Sequence, residues 1–325
     1  MISRRSALTL LGGTAATLAL GGCGKRNAER RDIVFATQKT GVPFLAQTRG
    51  AFARRLAARD IAPVRWVEFA SGPPLIEAMR AGAVDIGIVG DTPVAYAQAA
   101  GTDLRYVAAQ SFSGMVGGGL LVPASSDVAS LARLRGKRIA YTRGSSAEFA
   151  LAAALRQQGM RLSDVQAVNL TPGDGQAAFA NGAVDGWVIW DPFFTLAQIR
   201  NGAREIPLPT SGIRTVAFYI ASGDFTRERP DILRATLDEL RAEAEWGNRH
   251  HAYYRDATAR ATRIPPEVID RMIERYRDGM FRVAPVTPDI IANQQRVSDY
   301  LHTAGALPKK VDAARAAWTG WTPER

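Results

Sequence analysis

Four segments of the chain combine a helix-starting sequence with groups that can hold a small polar or anionic ligand. Three of them place a polar residue or glycine just before a proline, at residues 71–73, 91–93 and 191–192, and the fourth is the Gly-Ser-Ser turn at residues 144–146. Proline suits the first helical position because its missing N–H costs nothing there. The start of a helix presents free backbone N–H groups and a partial positive charge, and it therefore binds anions.

Charged and aromatic side chains flank these helix starts. Arg143 lies between a strand end and a helix start, where its guanidinium either binds an anion through two parallel hydrogen bonds or is a solvated loop charge. Trp190 either stacks on a ligand or packs between helices. Asp91 and Asp191 could contact a cationic group of a ligand, but their positions favour helix caps. Glu148 is predicted to reach back to its own helix start in a capping box.

A tandem repeat positions these segments. Residues 82–85 (GAVD) recur at 182–185, and each copy is followed by an apolar run without polar alternation, at 86–89 and 186–189. Such runs are typical of strands buried on both faces of a parallel sheet. The repeat predicts two similar lobes, each presenting strand ends and helix starts to a cleft between them. Asp85 and Asp185, in the turns before the strands, are predicted to be structural.

The chain is predicted to cross between the lobes twice. Residues 110–127 give the first crossing, and the predicted strand at 216–220 gives the return. Three helices, starting near residues 230, 266 and 288, then form a helical layer over the first lobe. We therefore predict an α/β fold in which each lobe is a mostly parallel sheet flanked by helices. The first lobe covers residues 33–113 and 215–325, and the second covers residues 114–214.

The first residues are predicted to be a targeting sequence and not part of this fold. Two arginines, an apolar run and the sequence LGGC at 20–23 predict a signal peptide over residues 1–22 that ends before a lipid-modified Cys23. Cys23 is the only cysteine, so no internal disulfide is possible. Residues 23–32 form a tether. The sequence leaves twin-arginine and general secretory export both open.

The composition and the absence of certain motifs argue against several classes of function. The formal net charge is +10, but Lys and Arg are scattered and form no basic run with interleaved aromatics, so we expect no nucleic-acid partner. The three histidines stand apart from any candidate nucleophile, and the sequence contains no metal-binding motif. We therefore expect neither an enzyme nor a cofactor or metal.

Six motifs together carry a family resemblance. They are QKTG at 38–41, EFASGP at 68–73, GDTP at 90–93, AQAAG at 97–101, RGS at 143–145 and WVIWDPF at 187–193. Over roughly residues 33 to 244 the chain resembles the substrate-binding proteins of ABC importers for aliphatic sulfonates, within a wider group that includes taurine and nitrate binders.

The resemblance implies a two-lobed, type II-like periplasmic binding fold that closes on a small anionic ligand. It further implies a monomer, lipid-anchored in the periplasm or on the outer face of a membrane, that delivers its ligand to an ABC permease in the inner membrane. The resemblance carries over eight candidate ligand-binding residues by position, and Asp91 is added to them as a ninth. The full set is Gln38, Ser71, Gly72, Asp91, Thr92, Arg143, Ser145, Trp190 and Asp191.

Two departures from the pattern bear on the ligand. Ser146 and Glu148 stand where sulfonate binders carry Asn and His, and residues 109–113 replace an expected proline-rich segment. An aliphatic sulfonate is the favoured ligand. Taurine, nitrate or a small heterocycle is the alternative, and a two-lobed enzyme or ligand sensor is a less favoured one.

Overall fold

The structure, a computed structural model, describes residues 30–112, 118–209, 213–276 and 279–323. The described residues from Arg31 onward form one compact unit. The predicted signal peptide and Cys23 lie outside the described residues. Among the described residues, no helix is both long enough and apolar enough to cross a membrane.

Strands and helices alternate along most of the chain, and the last part is helical. The strands are β1 (Ile33–Thr37), β2 (Val64–Glu68), β3 (Ile86–Gly90), β4 (Leu104–Ser111), β5 (Gly118–Val122), β6 (Arg138–Tyr141), β7 (Gln166–Asn169), β8 (Gly186–Trp190), β9 (Arg204–Ile206) and β10 (Val216–Ser222). The helices are α1 (Gly41–Arg49), α2 (Ala51–Ala57), α3 (Gly72–Arg80), α4 (Asp91–Ala99), α5 (Ser146–Gln157), α6 (Pro172–Ala180), α7 (Phe193–Asn201), α8 (Gly223–Glu228), α9 (Pro230–Arg249), α10 (His251–Thr262), α11 (Pro266–Arg275) and α12 (Pro288–Thr303).

These strands form two five-stranded sheets of the same design in the described part of the chain. The first has the order β2-β1-β3-β10-β4 and the second has the order β7-β6-β8-β5-β9. In the first sheet, β1 is parallel to β2 and β3, while β10 is antiparallel to β3 and β4. In the second, β6 is parallel to β7 and β8, while β5 is antiparallel to β8 and β9. Each sheet thus contains one reversed strand, and the predicted α/β fold class is confirmed.

The reversed strands lie at the two predicted crossings. β5 belongs to the second sheet although it follows β4 of the first, and β10 returns to the first sheet after β9. The strand predicted at residues 216–220 is confirmed within β10. Residues 113–117, in the middle of the first crossing, lie outside the described residues.

The apolar run at 86–89 forms the central strand β3, as predicted. Ile86 and Val89 are both buried, and they belong to different hydrophobic cores on the two faces of the sheet. A strand covered on both faces needs apolar side chains at successive positions, which explains why its sequence shows no polar alternation.

Two equivalent aspartates hold the start of the parallel strands in each sheet. Asp85 Oδ2 accepts a hydrogen bond from the backbone N–H of Val34 at 2.8 Å, and Asp185 Oδ2 accepts one from the backbone N–H of Arg138 at 2.8 Å. Asp85 also accepts from Arg229, and Asp185 accepts from the Arg138 guanidinium. The structural interpretation of both carboxylates is confirmed, and the repeat extends to their hydrogen bonds.

The C-terminal helices contact more of the molecule than the first sheet, over which the sequence predicts them to pack. Leu233, Leu237 and Val268, from α9 and α11, pack into the same core as Phe35 of β1, which gives the predicted layer over the first sheet. However, Val297 of α12 lies in a core that joins α4 to α5. The last helix therefore bridges helices that follow strands of both sheets, and the helical layer is not confined to the first.

Candidate ligand-binding site

A cavity of about 650 Å³ lies at the carboxyl ends of the parallel strands of both sheets. Gln38 follows β1, Phe69 follows β2, and Gly90 ends β3, while Trp190 ends β8 of the second sheet. In open α/β sheets, ligands bind in the crevice outside these strand ends. The cavity therefore occupies the place that the topology assigns to a ligand.

Helices from both halves of the chain begin at this cavity. The first residues of α1, α3, α6 and α7, which are Gly41, Gly72, Pro172 and Phe193, line it, and so does Ser146 at the start of α5. Each helix start carries a partial positive charge, so their convergence favours an anion, although the N–H of Gly41 already donates to the Tyr254 hydroxyl at 3.0 Å. This arrangement supplies anion-binding groups without a buried cation.

At the start of α5, Glu148 reaches back to the helix start as predicted, but its partner lies one residue before the one that a capping box requires. Ser145 Oγ accepts from the backbone N–H of Ala147 at 3.2 Å, and Glu148 Oε2 accepts from the backbone N–H of Gly144 at 2.7 Å. Glu148 Oε2 also accepts from the Tyr96 hydroxyl at 3.1 Å. Burial and the neighbouring carboxylate raise the pKa of Tyr96. The Glu148 carboxylate is thus bound to a helix start and to α4, and it does not line the cavity.

Asp91 links the two halves instead of facing the cavity. Its carboxylate is buried, and Oδ1 accepts from Ser146 Oγ at 2.9 Å and from Thr92 Oγ1 at 3.0 Å. Burial raises the pKa of Asp91, and these hydrogen bonds oppose that rise. Ser146 belongs to the second half and Asp91 to the first, so their hydrogen bond joins the starts of α4 and α5.

Asp191 lines the cavity and is paired with a cation from the C-terminal layer. Its Oδ1 accepts from the backbone N–H of Thr195 at 2.9 Å, as expected near a helix start. Its Oδ2 accepts from Nη1 of Arg275, at the end of α11, at 3.0 Å. Burial raises the pKa of Asp191, and the Arg275 charge opposes that rise. Sequence reasoning missed Arg275, because nothing local links it to a residue 84 positions away.

The structure brings some of the predicted residues together at the cavity. Gln38, Gly72, Ser145, Trp190 and Asp191 line it. The lining does not include Ser71, Thr92 and Asp91, which are buried, or Arg143, which is exposed and whose backbone N–H donates to Asn169 Oδ1 at 2.9 Å. A contact between any of these residues and a ligand stays a prediction.

Sequence reasoning missed an apolar and aromatic wall of the cavity. It contains Phe69, Phe112, Phe193, Met272, Tyr276 and Met280. Phe69 and Phe193 lie in two of the motifs named above, but the other four come from distant parts of the chain, and no local pattern marks them as a wall. Together with the volume, which lies within the roughly 300 to 1,000 Å³ of sites for drug-sized molecules, they can hold an organic group and not only an inorganic ion.

One lysine and two acidic side chains are among the described lining of the cavity: Lys39, Glu68 and Asp191. Lys39 and Glu68 are exposed, and Asp191 is the buried partner of Arg275. In the part of the chain that the structure describes, no group of three His, Cys, Asp or Glu side chains could hold a metal ion.

Comparisons with known proteins agree with this geometry. The family model described as NMT1/THI5 like matches residues 64–246. A relative from Escherichia coli (strain K12), named as an aliphatic sulfonates-binding protein, is 33% identical over 78% of this chain and 79% of its own length. The solved structure of the alkanesulfonate-binding protein SsuA from Xanthomonas axonopodis pv. citri bound to MOPS has a TM-score of 0.82 and 30% identity, covering 90% of this chain and 99% of that one.

A more distant structure has the same fold. The desulfurization enzyme DSZB has a TM-score of 0.63 at 15% identity, covering 91% of this chain and 97% of that one, a likeness that concerns the fold alone. The resemblance seen in the sequence is confirmed, and the chain belongs to the NMT1/THI5-like family, with relatives named for aliphatic sulfonate binding.

Proposed function

We propose that the chain is an extracytoplasmic solute-binding protein of an ABC importer and that its ligand is an organic sulfonate. The observation that carries this proposal is the convergence of helix starts from both sheets on one cavity that also has an apolar wall. A sulfonate needs both parts, because its oxygens accept hydrogen bonds while its carbon chain is apolar. The relatives named for sulfonate binding support the same ligand class.

Binding would proceed by closure of two lobes, 33–113 with 215–325 and 114–214, on the ligand. The sulfonate would accept from backbone N–H groups at Gly72 in the first lobe and at Ser146 in the second, while the tail lies against Trp190 and Phe193. A ligand that contacts both lobes has a higher affinity for the closed arrangement, so it shifts the population toward that arrangement. The closed form would then be presented to the permease by a monomer.

The shape and lining of the cavity support some of the alternative ligands more than others. Nitrate would leave most of its volume and its apolar wall unused, so nitrate is disfavoured. Taurine has one specific observation in its favour, because the exposed Glu68 carboxylate lines the cavity and can accept from an ammonium group. The fold of DSZB is compatible with an enzyme, but we propose that this protein releases its ligand unchanged.

Thermal unfolding with a panel of anions tests the proposal. A ligand that binds only the native state stabilises it by about 2.7 kcal/mol at roughly a hundred times its Kd. We expect butanesulfonate to raise the Tm measured by calorimetry, and nitrate and sulfate at the same concentration to raise it less. Equal shifts with all three anions would indicate a general effect of salt and would contradict a sulfonate site.

The proposed anchor gives a second prediction. If acyl chains are attached at Cys23, the wild-type protein partitions into the membrane fraction, because each buried CH₂ contributes about 0.8 kcal/mol and several chains act together. We expect Cys23→Ser to appear in the soluble fraction of fractionated cells, with Cys23→Ala as a second variant that also lacks the thiol. Retention of both variants in the membrane fraction at the wild-type level would exclude this anchor.

A further inference from the structure

A second, smaller cavity of about 190 Å³ adjoins the first. The two share Lys39, Gln176, Pro192 and Phe193 as lining residues. The other walls come from α7 and from the connection between α10 and α11. The second cavity is therefore also lined by residues from both halves of the chain, the half that forms the first sheet and the half that forms the second. A molecule in the first cavity can therefore extend past Phe193 into the second.

Three cations line this second cavity. They are Lys39 after β1, Arg200 in α7 and Arg263 at the end of α10, and all three are exposed. No Asp or Glu is among the described residues that line this cavity. Elsewhere in the described residues, arginines near carboxylates pair with them, as Arg275 does with Asp191 and Arg138 with Asp185.

These three side chains have no acidic partner in the described part of the chain. Between residues that the structure describes, no hydrogen bond or ion pair involves the ammonium of Lys39 or the guanidinium of Arg200 or Arg263. Three like charges around one small cavity repel one another, and an anion placed among them removes that repulsion. The guanidinium fork also matches a carboxylate or a second sulfonate through paired hydrogen bonds.

We propose that this cavity is an anion subsite for the far end of the ligand, so that the preferred ligand class is a sulfonate with a second anionic group, such as an ω-sulfocarboxylate. This inference rests on the proposed function, since it takes the first sulfonate to lie at the helix starts of the larger cavity. Lys39 then stands between the two anionic groups, and Arg200 and Arg263 bind the terminal one.

Calorimetric titration of matched ligand pairs tests the subsite. The pairs are propanesulfonate, butanesulfonate and hexanesulfonate, each against the ω-sulfocarboxylate of the same chain length. We expect the wild-type protein to bind the best dianion about tenfold more tightly than its matched monoanion, which corresponds to one charge-assisted contact at an exposed site. If the wild-type protein binds no dianion more tightly than its matched monoanion, at any of the three chain lengths, the subsite is refuted.

A double variant separates a local subsite from the general positive field of the protein. Arg200→Gln with Arg263→Asn removes two of the cations, and asparagine tolerates the left-handed backbone that Arg263 adopts at φ 58°. We expect this variant to lose the preference for the dianion and to bind monosulfonates as the wild type does. The double variant Arg133→Gln with Arg234→Gln, which removes two exposed charges outside both cavities, is the matched control and should keep the preference.

Two outcomes would count against the proposal in different ways. If the double variant at Arg200 and Arg263 and the control Arg133→Gln with Arg234→Gln weaken the dianion equally, the effect is that of net charge and the subsite is refuted, while the proposed function stands. If no sulfonate binds to the wild-type protein at all, the proposed function fails and the subsite fails with it.

Discussion

Replacing Arg275 with alanine is expected to lower the free energy of unfolding by about 3 kcal/mol, the lower end of the cost of removing one partner of a buried ion pair. The Asp191 side chain is only 1% exposed, and Arg275 donates to it at 3.0 Å. Without this cation, a carboxylate in the cavity wall loses its only ion-pair partner in the described residues. Arg275 also donates to Thr195 Oγ1 at 2.7 Å and to Gln198 Oε1 at 3.0 Å, so its contacts with Asp191 and with α7 are lost together.

The same helix provides the control for this prediction. Arg271 lies one turn earlier in α11 and is exposed, so Arg271→Ala removes the same charge without affecting Asp191. The measurement is denaturant unfolding of both variants and of the double variant Arg275→Ala with Asp191→Asn. Because the double variant leaves no buried charge unpaired, it should be more stable than Arg275→Ala alone. An Arg275→Ala protein as stable as Arg271→Ala would show that the pair does not hold α11 to α7.

Replacing Gly90 with alanine is expected to weaken sulfonate binding by roughly 10- to 100-fold. The backbone of Gly90 is extended, with φ −70°, so alanine causes no conformational strain. A Cβ there would instead overlap Ser146 Oγ, which belongs to the other half of the chain. Ser146 must then turn away and lose its hydrogen bond to the buried Asp91. Losing a hydrogen bond to a charged group costs roughly 1.5 to 3 kcal/mol, and under the proposed closure mechanism the closed arrangement would be depopulated in proportion.

A double-mutant cycle shows whether Gly90 acts through Ser146. Ser146→Ala removes the overlapping oxygen and leaves Cβ of Ser146 at 3.6 Å from the added methyl group, an ordinary contact. The double variant should therefore bind no more weakly than Ser146→Ala alone. Gly173→Ala is the matched control, because Gly173 lines the same cavity and a Cβ there meets nothing within 4 Å. Additive effects of the two substitutions, or wild-type affinity of Gly90→Ala, would contradict this account.

Local sequence patterns predict the fold and the helix starts well. The repeated GAVD segments predict equivalent roles for Asp85 and Asp185, and both carboxylates accept from the first residues of the neighbouring parallel strand. The capping role of Glu148 is likewise a local property, because its partner Gly144 is four residues away. Short-range hydrogen bonds of this kind depend on a few consecutive residues, and those residues are visible in the sequence.

Contacts between the two halves could not be predicted in the same way. The partners Asp91 and Ser146 are 55 positions apart, and Asp191 and Arg275 are 84 positions apart. Their pairing depends on how the sheets and the C-terminal helices pack, which no local pattern specifies. Arg143 illustrates the same limit, since its place beside a helix start fixes its backbone and not the direction of its long side chain.

The most direct test of the proposed function is calorimetric titration of butanesulfonate, taurine and nitrate into the purified protein, followed by mass spectrometry of the ligand after prolonged incubation. We predict that a sulfonate binds with one site per chain and more tightly than nitrate, and that it is recovered unchanged. Absence of binding heat with every sulfonate, or the appearance of a desulfonated product, would contradict the assignment of this protein as a sulfonate-binding component of an importer.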